Sequence, residues 1–165
     1  MLSYKDLSKH FGLSLFDKDF QFFLKNTFSD LTKYNVIDSN YITSVNNGIE
    51  LGFKNKDAVY DDDDNILFEK GNPIFSHFNL FPKSVSLIND LPFHSNFTDK
   101  RFEIINKAGS PFQTKEGYKS FLNKNFLVDH YKLDNIAITF DYDVEKKTIN
   151  FIQVRDNNLA EHLKL

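Results

Sequence analysis

The chain contains no cysteine, although it is 165 residues long. Disulfide bonds and thiolate metal sites are therefore excluded, and the composition fits a reducing compartment. Glycine is also scarce, with six isolated residues, and none of them belongs to the Gly-Lys-Ser/Thr motif of a phosphate-binding loop. The length suffices to bury about two thirds of the unfolded surface, so we expect a fold that needs no covalent staple.

Long apolar runs are missing as well, and none approaches the length that a membrane span requires. Near the N-terminus, Lys5, Asp6, Lys9 and His10 stand where a signal peptide needs its apolar region. We therefore expect a cytoplasmic protein without membrane contact.

A strong net charge is absent, because the formal sum is only −3. Lysine and arginine are scattered, whereas phosphate contacts need a concentrated basic face, so nucleic acid is not an expected partner. The acidic residues are distributed unevenly, since Asp61, Asp62, Asp63 and Asp64 follow closely after Asp57. This acidic segment is either a solvated loop or an electrostatic contact for a basic protein partner.

The acidic segment begins like the calcium-binding loop of an EF-hand, with Asp61, Asp63 and Asn65 at the first three ligand positions. The sixth position, which requires glycine, is Ile66, and the twelfth, which requires glutamate, is Asn72. The pattern fails where it is most demanding, and we expect no bound metal.

Side chains capable of catalysis are present, but their spacing is not typical of an enzyme. The histidines are far apart in sequence and form no zinc-binding pair; they are His10, His77, His94, His130 and His162. Ser95 and Ser110 are available as nucleophiles, yet the chain has no nucleophile-elbow motif. We therefore expect neither catalytic activity nor a cofactor.

Two helices are expected in residues 1–35. Ser3 is a candidate N-cap for a short helix over about residues 4–11, which ends at Gly12. A second helix begins near Asp17, and its apolar residues follow the helical period of 3.6. They are Phe16, Phe20, Phe23, Leu24, Phe28 and Leu31. Both helices are expected to face the core.

The most clearly delimited helix covers about residues 99–108. Thr98 is the predicted N-cap, and Phe97 and Phe102 have the spacing of a hydrophobic staple. Gly109 is the predicted stop. The residues expected to form its apolar stripe are Phe102, Ile105 and Ala108, with Ile104 beside them.

From residue 41 onwards the pattern is typical of strands. A hairpin is predicted over residues 41–53, around the turn Asn46-Asn47-Gly48. Residues 74–81 are apolar on both faces, which indicates a central strand, and the Gly71-Asn72-Pro73 sequence is expected to break the chain before it. Further strands are predicted at residues 127–133, 136–142 and 149–154. Irregular structure is expected at residues 82–90 and 112–124.

These elements together predict an α+β fold, in which an antiparallel sheet of about six to seven strands is packed by an N-terminal helix pair and one central helix. We expect a single domain over residues 1–165, with a helical part at 1–35 and a sheet-rich part at 41–155.

Several motifs occur in a fixed order. GIELGF precedes the acidic segment, and NPIFSHFNLF, LPFHSNFTDKRFEIINKAGSP, DHYKL and IAITFDYD follow it. This order resembles that of a family of small bacterial proteins encoded beside polymorphic toxins, which includes immunity proteins of contact-dependent growth inhibition. The residues that match the family motifs are Gly48, Ile49, Leu51, Leu91, Pro92, Phe93, Gly109 and Pro111. The family pattern tends to have a glycine soon after Leu-Pro-Phe, where this chain has His94 and Ser95.

The resemblance implies a cytoplasmic immunity protein that binds and neutralises a cognate toxin domain by occlusion, without catalysis. Many such toxins are basic nucleases, so the resemblance also implies that Asp57 and Asp61 to Asp64 cover a cationic active site. The alternative is a non-catalytic adaptor or chaperone of a secretion system, which would also bind a protein. A small hydrolase would instead require a deep pocket with convergent polar groups.

Overall fold

The sequence pattern is helical over residues 1–35 and mainly strand-like over residues 41–155. A computed structural model describes residues 1–34, 41–60 and 68–163, apart from the side chains of residues 57–60 and 68–70. The elements are β1 (Leu2–Ser3), α1 (Tyr4–Ser8), α2 (Lys18–Thr27), β2 (Tyr41–Ser44), β3 (Ile49–Tyr60), β4 (Phe68–Leu80), β5 (Ile88–Asp90), α3 (Arg101–Ala108), β6 (Gln113–Lys119), β7 (Lys124–Leu133), β8 (Ile136–Asp143), β9 (Thr148–Asp156) and α4 (Leu159–Leu163).

In the described residues, seven strands form one antiparallel sheet in the order β2-β3-β4-β9-β8-β7-β6. The predicted α+β class is confirmed, as are the hairpin at residues 41–53 and the strands near the C-terminus. β4 lies between β3 and β9, as its two apolar faces predict. A parallel pair between β1 and β5 is an addition that the sequence pattern does not indicate.

β4 runs without interruption through Pro73, so the predicted break at residues 71–73 is wrong. Asn55 of β3 lies opposite Pro73 on one side. On the other side, the segment 13–15 occupies the place of a strand, and the Leu15 amide donates a hydrogen bond to the Pro73 carbonyl at 2.8 Å. Only the carbonyl of Pro73 is needed there, which explains why a residue without an N–H group is tolerated in this strand.

The apolar core joins the two N-terminal helices to the sheet. Phe20 of α2 stacks on Phe75 of β4 with ring centroids 5.1 Å apart, and Leu7 of α1 is fully buried. Leu24 is buried as predicted, whereas Phe16 is 65% exposed because it precedes the helix. Burial of each such large apolar side chain contributes about 1.5–3 kcal/mol to stability.

α1 begins at its predicted N-cap, Ser3, and α2 begins near Asp17 as predicted. The Ser3 hydroxyl accepts a hydrogen bond from the Lys5 amide at 3.2 Å, and the Asp6 carboxylate accepts one from the Ser3 amide at 2.9 Å. Asp17 caps α2 by accepting a hydrogen bond from the Phe20 amide at 2.9 Å. These contacts satisfy amides that have no partner within the first helical turn.

α3 begins later than predicted, and its N-cap is Lys100 rather than Thr98. The Asp99 carboxylate instead accepts a hydrogen bond from the Asn96 amide at 2.7 Å, which keeps the chain in a turn before the helix. The Glu103 carboxylate then accepts a hydrogen bond from the Lys100 amide at 2.8 Å. The end of the helix is as predicted, because Gly109 has a positive φ of 81°.

The buried face of α3 also differs from the prediction. Ile104 is fully buried, whereas Phe102 is 60% exposed. The predicted staple with Phe97 and the stripe through Phe102 are therefore wrong, and Phe102 belongs to the protein surface.

Both stretches expected to be irregular contain strands. Residues 82–90 comprise a 3₁₀ turn at Pro82–Ser86 followed by β5, and residues 112–124 contain β6 and the start of β7. Among the described residues, no helix has the length and apolar character needed to cross a membrane.

Candidate partner-binding site

The acidic residues predicted to contact a partner cannot be placed by the structure. Asp61, Asp62, Asp63 and Asp64 lie outside the described residues, and of Asp57 only the backbone, within β3, is described. The EF-hand-like pattern falls in the same region. Their role in binding therefore stays a prediction.

His77 lies in the sheet, in a buried polar cluster. Its imidazole makes hydrogen bonds with the Ser76 hydroxyl at 2.8 Å and the Tyr41 hydroxyl at 2.9 Å. Burial lowers the pKa of His77 to about 4, and the nearby Lys54 and Arg155 act in the same direction. The ring is therefore neutral at pH 7. The fully buried Ser76 hydroxyl also donates a hydrogen bond to the Gly52 carbonyl at 3.2 Å, so this cluster links β4 to β3 and, through Tyr41, to β2.

The other histidines are dispersed, in agreement with their sequence spacing. His10 packs between Phe20 and Phe23, His130 pairs with the Thr139 hydroxyl at 2.8 Å, and His162 contacts Asp156 at 2.6 Å. His94 lies beside Asp90 at 3.4 Å with its side chain exposed. Within the part of the chain that the structure describes, no three His, Asp or Glu side chains converge as a metal site would require.

A buried ion pair connects α3 to the last strands of the sheet. The Arg101 guanidinium donates two hydrogen bonds to the Asp129 carboxylate, at 2.7 and 2.9 Å. Thr114 of β6 donates a third to Asp129 at 2.6 Å. Burial by itself would raise the pKa of Asp129, but these hydrogen bonds outweigh it and hold the pKa below its ordinary value. The pair therefore fixes α3 against β6 and β7.

Two tyrosine hydroxyls lie near this pair. Burial and the Asp129 charge raise the pKa of Tyr131 to about 12, and burial also raises the pKa of Tyr142. In the described part of the chain, neither hydroxyl has a hydrogen-bond partner of acceptable geometry, although that of Tyr142 is close enough to Asp129 to influence it. Tyr142 also lines the adjoining cavity, where its aromatic ring adds apolar surface.

Two concave surfaces meet at the end of the sheet that carries β6. The first has a volume of about 340 Å³ and is lined by Lys100, Arg101, Phe102, Leu127, Tyr142, Asp143, Val144 and Lys147. The second has a volume of about 470 Å³ and is lined by Glu116, Gly117, Tyr118, Asn125, Phe126, Leu127 and Val144. Because Leu127 and Val144 line both, the two surfaces form one depression. We call it the hairpin concavity, and its exposed or half-buried apolar residues include Phe102, Tyr118, Leu127 and Val144.

The apolar character of this region extends beyond the hairpin concavity. Of the eleven large hydrophobic residues that are exposed in the described part of the chain, six lie on or beside the β6–β7 hairpin. They are Phe102, Phe112, Tyr118, Phe121, Leu122 and Val144. Such a concentration of exposed apolar side chains is typical of an interaction surface.

Charged groups of both signs border this apolar surface. Lys100 and Lys147 line the hairpin concavity, and so do Glu116 and Asp143. The Asp143 carboxylate accepts hydrogen bonds from the backbone amides of Glu145 and Lys146, at 3.1 and 2.9 Å. The Lys132 ammonium, 4.6 Å from the centre of the Phe112 ring, belongs to the opposite face of the sheet, because residues 127 and 132 of β7 point to different faces. The arrangement suits contact with apolar and charged groups of another molecule.

The hairpin concavity has no clear signature in the sequence. β6 lacks an apolar alternation because its residues from Gln113 to Tyr118 are exposed, so neither face imposes a hydrophobic pattern. Phe102 was assigned to the core from helical spacing alone. The available signal was the excess of aromatic residues in residues 112–126, which contain Phe112, Tyr118, Phe121 and Phe126.

Comparison with protein-family models, with characterised proteins and with solved structures gives no match for this chain. The resemblance to immunity proteins therefore stays a prediction.

Proposed function

We propose that the protein is an immunity protein that binds a toxin domain in the cytoplasm and blocks it by occlusion, with the hairpin concavity as the contact surface. The observation that carries this proposal is the concentration of exposed apolar side chains around Phe102, Leu127 and Val144. The order of sequence motifs supports the functional class, and the apolar surface supports binding to a protein.

The geometry suits an inhibitor that acts by contact. A stable protein–protein interface buries about 800 Å² on each partner, with aromatic residues concentrated at its centre. Phe102 is well placed for that role because it is 60% exposed and lines the hairpin concavity. The ion pair between Arg101 and Asp129 holds the first turn of α3, which contains Phe102, in place, so little order has to be gained on binding.

In this proposal the acidic segment has a separate role. Asp57 and Asp61 to Asp64 attract a basic toxin over a distance, while the affinity comes from buried apolar contacts. Replacement of the five aspartates by asparagine should slow association and flatten its dependence on salt, measured by stopped-flow binding. Unchanged association kinetics would remove the acidic segment from the interface without affecting the immunity proposal.

The direct test first identifies the gene immediately upstream, which the proposal expects to encode a large exported protein, and then co-expresses the C-terminal domain of that protein with this chain, scored for cell survival. The wild-type chain should rescue growth. Phe102→Asp should abolish rescue, whereas Phe22→Asp should retain it. Phe22 is a matched control because it is 71% exposed and lies on α2, away from the hairpin concavity.

The outcomes distinguish the alternatives. Failure of the wild-type chain to bind or to rescue would contradict the immunity function. Binding without rescue would favour the adaptor or chaperone function instead. Full rescue by Phe102→Asp would show that the toxin is bound elsewhere.

A further inference from the structure

We propose that the outer edge of β6 binds an extended acidic segment of a partner protein by adding it to the sheet as a further strand. This inference rests on the proposed function in taking the partner to be a protein, and it specifies how that partner is recognised.

β6 has one free edge. It is the last strand of the sheet and pairs with β7 along its whole length, from Gln113 opposite His130 to Lys119 opposite Lys124. Among residues 1–34, 41–60 and 68–163, no strand pairs with its other side. Every second residue of such an edge directs its N–H and C=O groups outward, and these groups require hydrogen-bond partners. Over seven residues the row is about 23 Å long, which is enough to pair with a complete strand.

Both faces of β6 are accessible to an added strand. The residues from Gln113 to Tyr118 are exposed, and Lys119 is half-buried. Because side chains alternate along a strand, Lys115, Gly117 and Lys119 share one face, while Thr114, Glu116 and Tyr118 share the other. Glu116 and Tyr118 also line the hairpin concavity. An added strand would therefore meet lysines on one face and a mixed surface on the other, so only the lysine face favours acidic side chains.

The lysine face determines the charge of the partner. Lys124 lies opposite Lys119, and the Lys119 ammonium lies 5.1 Å from the centre of the Phe126 ring. The neighbouring carboxylate of Asp141, on β8, accepts a hydrogen bond from the Asn150 amide at 3.1 Å. Acidic residues placed opposite Lys115 and Lys119 would form cross-strand pairs of opposite charge, which stabilise antiparallel pairing.

A second copy of the chain does not fit this edge. In an antiparallel pair, two directly opposed residues either both direct their N–H and C=O groups at the partner strand or both direct them away. If β6 paired with β6 of a second copy around a two-fold axis, one residue would therefore lie opposite its own counterpart at the centre of the pairing. The registers that pair at least five of the seven residues are centred on Lys115, Glu116 or Gly117. The register centred on Lys115 places Lys115 opposite its own counterpart, and the register centred on Glu116 does the same for Glu116. The register centred on Gly117 places Lys115 opposite Lys119. Like charges in these positions destabilise pairing, which leaves an acidic segment of a different chain as the added strand.

The test uses a capped heptapeptide that alternates valine and glutamate, and a second peptide with lysine in place of glutamate. Binding is measured by fluorescence anisotropy, and its location by amide chemical shifts of the full-length protein. The acidic peptide should bind and shift the amides of β6, and the lysine peptide should not. The double variant Lys115→Glu/Lys119→Glu should weaken binding by about tenfold. Lys18→Glu/Lys33→Glu, which makes the same change in net charge at two exposed residues elsewhere, should leave it unchanged.

Backbone pairing is tested without changing the protein. Only alternate amides of an added strand point at β6, so N-methylation of either the valines or the glutamates should abolish binding, while methylation of the other set should preserve it. Absence of binding, equal binding of both peptides, shifts confined to other elements, or tolerance of both methylation patterns would overturn the inference. Peptide binding at β6 without rescue from the toxin would contradict the proposed function alone. Rescue without peptide binding at β6 would contradict this inference alone.

Discussion

The carboxylate of Asp129 is fully buried and holds the guanidinium of Arg101 through two hydrogen bonds. This contact links a helix to a strand 28 residues later in the chain, beside the hairpin concavity. It determines where Phe102, the next residue of α3, meets the solvent.

Replacement of Arg101 by methionine should therefore destabilise the protein. Removal of one partner leaves a buried charge uncompensated, which costs about 3–5 kcal/mol for fully buried pairs. Since the Arg101 side chain is 38% exposed, we expect a loss of about 2–3 kcal/mol at pH 7, measured by urea unfolding.

The same variant has a characteristic pH dependence. In the wild type the pKa of Asp129 is below its ordinary value. The contribution of the Asp129 carboxylate to stability is therefore complete when the pH is above the ordinary pKa, and it is lost as the pH falls through the lowered pKa. Without Arg101, burial raises the pKa of Asp129. Protonation of Asp129 then removes the free-energy cost of keeping an unpaired carboxylate buried. The difference between wild type and variant should therefore shrink as the pH falls from 7 towards 4. A constant difference would contradict this assignment.

The stability of the protein should fall in mild acid because His77 is buried in its neutral form. Its pKa of about 4 in the fold is lower than the unfolded value of 6.5, so the unfolded chain binds more protons between these values. The stability contribution of the neutral ring is complete above pH 6.5 and is lost as the pH falls to 4, with a total of about 3 kcal/mol. His77→Gln should flatten this part of the pH profile. Titration of the His77 ring by NMR checks the cause directly, and a midpoint near 6.5 would refute it.

Gly52 lies opposite His77, and the two residues are closely packed. A Cβ atom at position 52 would lie 2.2 Å from the nearest atoms of the His77 ring, which hydrogen bonds hold in place. Gly52→Ala should therefore lower the free energy of unfolding by about 1–3 kcal/mol. Gly117→Ala is the matched control, since its Cβ would lie 3.0 Å from the Phe126 ring, which is only half-buried. Equal effects of the two substitutions would argue against the close packing of Gly52 and His77.

Phe93 and His94 both have positive φ, at 56° and 52°, a conformation that glycine adopts more easily. The His94 side chain is 93% exposed, so His94→Gly should remove backbone strain and raise stability by about 0.5–1 kcal/mol, or about 2 °C in melting temperature. Phe93 packs on Tyr131 and Phe140. Phe93→Gly should therefore destabilise the protein by about 2–3 kcal/mol despite the same relief of strain. Calorimetric melting of both variants tests the contrast, and a lower melting temperature for His94→Gly would contradict it.

Local chemistry made several elements predictable from the sequence. Ser3 caps α1 as expected, and α2 begins near Asp17 as expected, because a side-chain oxygen next to free amides needs no distant partner. The core strands were also predictable, since a buried face leaves a period of apolar residues. The start of α3 was not, because Asp99 and Glu103 accept hydrogen bonds from nearby amides and move the cap away from Thr98.

The sequence by itself determined the α+β class, most of the strands and the helices that face the core, because burial of a face imposes a period on the chain. The sequence also contains the acidic segment, whose contact with a partner stays a prediction. Only the tertiary structure decided where the candidate site lies. β6 carries no apolar period because neither of its faces is covered, and the hairpin concavity brings together Phe102, Leu127 and Val144 from separate segments. Their proximity depends on strand order and on the Arg101–Asp129 contact, which no local pattern specifies.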